Sequence, residues 1–323
     1  MNNTNTMKAV VLDGPTNVED IFLKEKEVPV VVPGWVLVKV KAFGMNHSEL
    51  ILRHEEIKYD YIKKPIIPGI ECVGEIADPS NSSFKAGDKV IAMMGGMGRS
   101  FDGSYAEYAL LPAHHVFKIE SNLKWSELAA IPETYFTAWG SLFECLQLRK
   151  EDTLLIRGAS CALGLAAIQI AKTLGCKVIA TTHKEKYLDL LMSADERIVD
   201  DGKLTGKVKG VTKALDLVGP KFLLDTMASV EKGAIVCQTG ILGGVYALNG
   251  FDPIKHIPNG VYLTGFYSNF PTQGIVDDMF SFFNKHDLKP IHGPVYTFGK
   301  IKDAMLMQES GKAGGKIIVF IER

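Results

Sequence analysis

The chain has 323 residues, of which 46% are apolar and 23% are charged, so it is ordinary for a globular protein and long enough for two domains. Its formal net charge of −1 argues against a surface built for nucleic acid or for an anionic membrane. No run of 18 apolar residues occurs, and the first residues lack a basic segment leading into an apolar one. We therefore expect neither a membrane span nor a secretion signal.

The cysteines are odd in number, scattered, and without a CxxC pair: Cys72, Cys145, Cys161, Cys176 and Cys237. Such a set is typical of a reducing compartment, so we expect a cytoplasmic protein. A disulfide framework and a thiolate metal cluster are both disfavoured.

The first part of the chain is predicted to be rich in β-strands. Short apolar or alternating runs of strand length are separated by glycine and proline turns, a pattern that favours a partly closed barrel or sandwich. The predicted strands cover residues 8–12, 25–32, 35–42, 68–76, 85–92 and 103–110.

Beyond residue 122, predicted helices and strands alternate, which indicates a parallel, doubly wound sheet. The tail returns to β character at residues 293–298 and 316–321. The predicted fold class is therefore α/β, with a β-rich domain of residues 1–122 and 270–323 and an inserted domain of residues 123–269. We expect the cleft between them to hold a ligand.

The most informative stretch spans residues 153–187 and reads as strand, small-residue turn, helix and strand. The turn from Gly158 to Gly164 carries no bulky polar side chain, and Gly175 is suited to end the helix. A turn of this kind receives a pyrophosphate on backbone N–H groups and the helix N-terminus. Its glycines do not match G-x-G-x-x-G, because Cys161 stands where another glycine is expected. A buried βαβ unit without a ligand stays open as the alternative.

The end of the following strand favours NADPH over NADH. A free ribose 2′-hydroxyl is usually met by a carboxylate about 20 residues past the glycines. Here the strand ends in Thr181, Thr182, His183 and Lys184, and Lys186 follows. Hydroxyls and cations suit a 2′-phosphate. The alternative is a solvated basic turn.

Several motifs together resemble the medium-chain dehydrogenase/reductase superfamily, and within it the zinc-free quinone oxidoreductase, or zeta-crystallin-like, branch. They occur in the order and spacing of that family over essentially the whole chain: residues 44–50, 68–74, 87–90, 103–108, 137–138 and 158–164. The resemblance implies a GroES-like catalytic domain and a Rossmann domain that binds NADPH. It also implies a homodimer or homotetramer, and residues 260–265 are a strand able to extend a sheet across a two-fold axis.

The resemblance implies an enzyme without zinc. Zinc alcohol dehydrogenases of this superfamily are similar around residues 44–49, but have a cysteine ligand where this chain has Asn46 and a histidine ligand where it has Ile70. Their structural-zinc lobe would fall near residues 93–115, which contain no cysteine. A catalytic zinc needs about three protein ligands. His47 beside Glu49 is the remaining metal candidate, and an ordinary loop histidine is the simpler interpretation.

Hydride transfer without a Lewis acid favours acceptors whose developing charge delocalises, namely quinones and α,β-unsaturated carbonyl compounds. The nearest alternative is an enoyl or alkenal reductase for one metabolite. A different class is a non-catalytic NADPH-binding redox sensor, or an RNA-binding protein such as some zeta-crystallin relatives. The near-zero net charge speaks against RNA.

By resemblance, Asn46 and Thr137 lie near the nicotinamide. Asn46 would position the ring or bond the substrate oxygen, and Thr137 would bond the carboxamide. A turn-forming Asn and a helix Thr bonded to its own backbone are the alternatives. The resemblance and the motifs above place the remaining cofactor contacts at Ser160, Cys161, Ala162, Leu163, Thr182, His183, Lys186, Val218, Gly240, Ile241, Phe266 and Lys316. The position where relatives often carry a tyrosine is Asp201, which weakens the preference for NADPH.

On the substrate side, we expect Arg53, Tyr59 and Tyr61, in the loop before Pro68, to line the pocket, with a tyrosine as a possible proton donor to an enolate. Exposed loop side chains are the alternative interpretation.

Cys161 departs from the glycine usual in the family. A thiol at a helix N-terminus has a lowered pKa and is therefore easily oxidised or alkylated. Such a modification of Cys161 would block the pyrophosphate. The simpler interpretation is a small side chain that fits the turn.

Overall fold

The computed structural model describes residues 6–322, and the chain divides into two compact units. The first unit comprises Met1–Glu133 and Asn269–Arg323, and the second comprises Thr134–Ser268. Each unit has its own main sheet.

The first unit is built on a seven-stranded sheet whose main path is β14-β15-β3-β4-β5-β7, with β6 paired to β3 and a separate ribbon of β1 and β2. Its strands are β1 (Thr6–Val10), β2 (Leu23–Glu27), β3 (Trp35–Met45), β4 (Glu71–Asp78), β5 (Lys89–Met93), β6 (Tyr108–Pro112), β7 (Val116–Lys118), β14 (Val295–Thr297) and β15 (Ile317–Phe320). Its helices are α1 (His47–His54), α2 (Trp125–Leu128), α7 (Gln273–Lys285) and α8 (Ile301–Ser310), and α3 (Pro132–Trp139) begins at its end.

Strand β3 organises this unit because it pairs with β4, β6 and β15. Val36, Val38 and Val40 alternate along β3 and therefore share one face, and all three are buried in the hydrophobic core. The pairing of β15 with β3 places Ile317 opposite Met45. A strand from the early part of the sequence and one from the last part therefore meet at the start of α1.

The second unit carries a six-stranded parallel sheet in the order β10-β9-β8-β11-β12-β13. The strand order reverses between β8 and β11, and open α/β sheets bind ligands at the carboxyl ends of strands at such a point. Its strands are β8 (Thr153–Arg157), β9 (Lys177–Thr182), β10 (Glu196–Val199), β11 (Lys213–Asp216), β12 (Ile235–Gln238) and β13 (Tyr262–Gly265). Its helices are α4 (Ala162–Leu174), α5 (Leu223–Ala228) and α6 (Pro253–His256), together with most of α3.

Some predicted elements differ in the structure. The helix predicted to continue to residue 148 ends at Trp139, and a π-helical turn, Gly140–Cys145, follows. The helix predicted before Ala194 is instead a 3₁₀ turn, Glu185–Leu191. Helix α8 was not predicted, because only Ile301, Ala304 and Met305 of its ten residues are buried and its apolar signal is therefore weak. Among residues 6–322, no helix is long and apolar enough to cross a membrane.

Candidate active site

The turn between β8 and α4 has the backbone geometry of a ligand-binding loop. Gly158 has φ of +82°, a conformation that suits glycine, and Cys161 is the N-cap of α4 with its sulfur 3.4 Å from the Gly164 nitrogen. Ala162 and Leu163 belong to the first turn, whose N–H groups have no intrahelical acceptor. These amides can bind an anion such as a pyrophosphate.

The same turn is fastened to the end of β9. The Gly158 nitrogen donates to Thr181 Oγ1 at 3.2 Å and the Ala159 nitrogen donates to the Thr181 carbonyl at 2.8 Å. The Ser160 and Thr182 hydroxyl oxygens are 2.9 Å apart. The structure therefore brings together the turn and the strand end that the sequence analysis assigned to one cofactor.

The segment after β9 is exposed and cationic. Burial, followed by the charges of Lys184 and Lys186, lowers the pKa of His183, so the imidazole is neutral at pH 7. The Lys186 Nζ lies 4.9 Å from the centre of the Tyr187 ring, in a cation–π contact. The site thus offers two lysine charges and a neutral imidazole beside Thr182.

One carboxylate near this strand end escaped the sequence analysis. The Asp200 nitrogen donates to the Thr182 carbonyl at 2.8 Å, so Asp200 lies next to the end of β9. Its two carboxylate oxygens accept from the fully buried Arg157 at 2.7 and 3.1 Å, and one also accepts from the Gly202 nitrogen at 2.8 Å. Arg157 also pairs with Asp225 at 2.9 Å. Asp200 therefore forms an ion pair with an arginine that lies 43 residues away in the sequence. No local sequence pattern indicates this partner.

The other predicted cofactor residues of this unit follow the carboxyl ends of β11, β12 and β13. The Val218 nitrogen donates to Asp216 at 2.8 Å, and the Val218 carbonyl accepts from Gly243 at 2.9 Å in the loop that contains Gly240 and Ile241. Phe266 follows β13.

Thr137 is buried in α3, one turn before Gly140, against which the Phe266 ring packs. The Phe266 ring also contacts the Phe136 ring, with centroids 5.7 Å apart.

In the first unit, Asn46 lies in a buried polar cluster with Glu49, Glu71 and Lys316. The Lys316 ammonium bonds Asn46 Oδ1 and Glu71 Oε1, and the Asn46 amide nitrogen donates to Glu71 Oε1 at 2.9 Å. An ammonium only donates, so it defines which end of the amide is the oxygen. The remaining amide hydrogen of Asn46 faces Glu49 Oε1 at 3.4 Å. Asn46 is therefore held in one orientation.

Lys316 and Glu71 are 2% and 0% exposed, so this is a buried ion pair. The second Glu71 oxygen accepts the Glu133 N–H at 2.7 Å. Gly44 leaves the space for the pair, because a Cβ there would overlap the Lys316 side chain. The family resemblance implies that Lys316 lies at the cofactor; in the structure its ammonium contacts Asn46 and Glu71.

Glu49 completes the cluster, and its pKa is strongly shifted. Burial raises its pKa to about 7, against the opposing charge of Lys316, while the charge of Glu71 adds to the rise. Its carboxylate accepts N–H groups of Asn46 at 2.7 Å and of Ile70 at 3.1 Å, and these bonds favour the ionised form.

This pKa makes stability depend on pH. The folded-state pKa of Glu49 lies above its ordinary value of 4.5, so its contribution is fully present below pH 4.5 and is lost as pH rises through 7. We expect the wild type to lose about 2 kcal/mol from this group between pH 5.5 and 7.5. Glu49→Gln, which cannot ionise, should remove that part of the pH dependence in urea unfolding. Parallel pH profiles for the two proteins would contradict the assignment.

The predicted substrate residues differ in their surroundings. Arg53 lies in α1, not in the loop, and is 3% exposed, with its guanidinium bonded to Glu309 and to the Thr16 carbonyl at 2.7 Å. Tyr59 and Tyr61 are exposed and stacked, with centroids 5.8 Å apart. The two tyrosines are accessible to a ligand, whereas the side chain of Arg53 is committed to internal contacts.

Across residues 6–322, no three His, Cys, Asp or Glu side chains are grouped as metal ligands. Ile70, at the position where the zinc enzymes carry a histidine, is buried and offers no side-chain ligand.

Comparison with known proteins covers both units. The family profile of the alcohol dehydrogenase GroES-like domain matches residues 32–121, and that of zinc-binding dehydrogenase matches residues 162–283. The chain is 24% identical over 348 residues to the synaptic vesicle membrane protein VAT-1 homolog-like of Mus musculus, covering 98% of this chain and 82% of that protein. It is 30% identical over 209 residues to the quinone oxidoreductase of Homo sapiens, covering 63% and 61% of the two chains.

A solved structure agrees over the full length. The crystal structure of Bacillus subtilis protein yhfP with NAD bound has a TM-score of 0.83 and 24% identity, and the match covers 98% of this chain and 99% of that one. At this identity the similarity concerns the fold. It confirms the predicted α/β class, with a GroES-like domain and a Rossmann sheet.

Proposed function

Because the chain belongs to the medium-chain dehydrogenase/reductase superfamily, a nicotinamide-dependent family of oxidoreductases, we propose that it is an NADPH-dependent reductase of quinones or α,β-unsaturated carbonyl compounds that uses no zinc. The observation that carries this proposal is the Lys316 ammonium bonded to Asn46 and Glu71. It places a fixed cation next to Asn46, the residue that stands in for a zinc ligand of the alcohol dehydrogenases.

The donor set at this position does not fit a catalytic zinc. Asn46 presents an amide oxygen already bonded to an ammonium, and Ile70 has an aliphatic side chain. A divalent ion bound here would have to displace Lys316 from Glu71, leaving an ammonium that is 2% exposed without its counter-charge. The proposed reaction therefore involves no metal ion.

The cofactor fits the residues of the second unit. The first-turn amides at Ala162 and Leu163 would hold the pyrophosphate, and the Ser160 and Thr182 hydroxyls would border the adenosine ribose. Lys186 would pair with the 2′-phosphate. Asp200, a carboxylate beside the end of β9, has both oxygens bonded to Arg157, which disfavours a bond to a free 2′-hydroxyl. When bound, NADPH supplies the hydride.

The proposed roles of Asn46 and Thr137 come from the family resemblance, and the bonds of Asn46 favour one of its two roles. Both amide hydrogens of Asn46 face carboxylates, which favours positioning of the nicotinamide ring over donation to the substrate oxygen. Thr137, buried in α3, would bond the carboxamide. An acceptor that spreads its developing charge into an enolate or hydroquinone can be reduced without a Lewis acid, and hydrogen-bond donors are enough for it.

If NADPH is the cofactor, Lys186→Ala should weaken the binding of NADPH but not that of NADH. Losing a charge-assisted contact to the 2′-phosphate should raise the Kd for NADPH about tenfold and leave the Kd for NADH unchanged. Fluorescence titration with both cofactors measures this. Lys209→Ala, at an exposed lysine of the same unit, is the matched control and should change neither Kd. An equal loss for both cofactors would show that Lys186 does not read the 2′-phosphate.

The reaction is tested by NADPH oxidation with 9,10-phenanthrenequinone, 1,4-naphthoquinone and 2-hexenal, with elemental analysis of the same sample for zinc. Turnover with less than stoichiometric zinc supports the proposal. Turnover of 2-hexenal alone would narrow the function to an alkenal reductase. Tight NADPH binding without turnover of any acceptor would favour a redox sensor, and one tight zinc per chain would overturn the metal-free assignment.

A further inference from the structure

Two thiols in the second unit adjoin each other, although their residues are 92 positions apart in the sequence. Cys237 lies in β12 and is buried, whereas Cys145 ends the π-helical turn and is half-buried. The Cys145 thiol donates to the Gly265 carbonyl at 3.5 Å, and Gly265 is paired with Gln238, the neighbour of Cys237. The side chain of Cys145 is thus directed at the edge of β12 and β13 where Cys237 lies.

The surroundings of Cys237 are polar for a buried cysteine. Its sulfur lies 3.3 Å from Thr239 Oγ1, which in turn is 2.9 Å from Ser141 Oγ. Burial raises the pKa of Cys237 to about 12; bonds from Thr239 and Ser141 oppose this, and the hydrogen bond and charge of the adjoining Cys145 thiol add to it. Hydroxyl donors that can bond a sulfur anion are therefore present.

The π-helical turn produces this contact. The Leu146 nitrogen donates to the Ser141 carbonyl at 3.0 Å, five residues back, instead of to residue 142 as in an α-helix. Ser141 and Cys145 both lie in this wider turn. Such turns occur frequently at functional sites.

We propose that Cys145 and Cys237 are the site of a reversible disulfide formed under peroxide. The half-buried Cys145 reacts first: its thiolate sulfur bonds one peroxide oxygen, the O–O bond breaks, and the leaving hydroxide takes up the thiol proton as water. The Cys237 sulfur then attacks the resulting sulfenic acid, the S–S bond forms, and the S–O bond breaks with release of a second water. In total, two thiols and one hydrogen peroxide give one disulfide and two waters, and a dithiol reductant reverses the change.

The other cysteines are not placed for this reaction. Cys72 is packed in the hydrophobic core of the first unit, and the Cys176 thiol donates to the Arg149 carbonyl at 3.1 Å. Cys161 caps α4 through its bond from Gly164. The proposal is independent of the reductase activity, because it concerns only these two sulfurs.

Peptide mapping of the whole protein tests the proposal directly, since trypsin leaves each of the five cysteines on a different peptide. The protein is treated with a few equivalents of hydrogen peroxide, alkylated with N-ethylmaleimide and digested without reduction. We expect residues 125–149 joined to residues 233–255, two hydrogen atoms lighter than the separate peptides, and restored by dithiothreitol. Ellman titration in denaturant should fall from five thiols by two.

Variants separate this disulfide from other oxidation. Cys161→Ser should retain the cross-link, whereas Cys145→Ser should abolish it and leave Cys237 alkylated. A non-reducing gel should show that the oxidised chain migrates as a monomer. Oxidation that leaves both peptides uncross-linked in the wild type, or that joins either of them to another cysteine, would overturn the proposal whether or not a variant folds.

Discussion

Replacing Lys316 with methionine is expected to lower the free energy of unfolding by about 3–5 kcal/mol. The substitution leaves the carboxylate of Glu71, which is 0% exposed, without its counter-ion, and it removes the donor to Asn46 Oδ1. A buried charge without a partner costs far more than the intact pair contributes, because the desolvation penalty is then not offset. Urea unfolding at constant pH measures the loss.

Two further variants test whether charge burial is the cause. Lys58→Met breaks the exposed ion pair with Glu55, at 2.8 Å, and should change the free energy of unfolding very little, because solvent screens an exposed pair. Adding Glu71→Gln to Lys316→Met removes the unpaired charge and should recover part of the lost stability. A Lys316→Met protein as stable as the Lys58→Met protein would contradict the buried pair.

Gly164→Ala is expected to damage both the second unit and its proposed cofactor site. A Cβ on Gly164 would overlap the Ala159 carbonyl oxygen and lie 2.6 Å from the Ala159 carbonyl carbon. These are backbone atoms of the turn after β8, so the turn must move for α4 to remain in place. We expect a loss of about 1–3 kcal/mol in stability. Displacement of the first-turn amides should raise the Kd for NADPH by roughly a hundredfold, on the order of 3 kcal/mol.

The matched control is Gly274→Ala in α7. No atom lies within 4 Å of a Cβ built there, so alanine should be neutral or stabilise the helix by up to about 1 kcal/mol. It should leave the Kd for NADPH unchanged. Thermal unfolding and fluorescence titration of both variants provide the comparison. If Gly164→Ala bound the cofactor as tightly as the parent protein, the close approach of α4 to the turn would not be what holds the amides.

Local patterns were enough to predict the fold class. The apolar run of β8, the small-residue turn and the helix ending at Gly175 are all present, because each depends on neighbouring residues and on one periodicity. Element ends were less predictable. Helix α3 stops at Trp139 although helical residues continue, since the following turn packs against β13 and Phe266 and adopts π geometry. The predicted roles of the individual cofactor residues stay predictions.

The chemistry of the candidate site depends on contacts that no local pattern contains. Asn46 and Lys316 are 270 residues apart, and they meet because β15 pairs with β3 at the start of α1. Nothing in the sequence near Asp200 indicates a partner for its carboxylate. Only the tertiary structure shows that Arg157 packs beside it and forms an ion pair with it.

From residue order alone follow the α/β class and the small-residue turn before α4, and the family resemblance adds that this chain has no cysteine or histidine at two positions where the zinc enzymes have ligands. Periodicity, turn chemistry and residue type are short-range properties, and a single chain displays them directly. Which charges are paired, how the Asn46 amide is oriented and which two thiols adjoin were decided by strand pairing and burial. Those contacts join segments that are distant in the sequence. They become strong only where folding has excluded water from between the interacting groups.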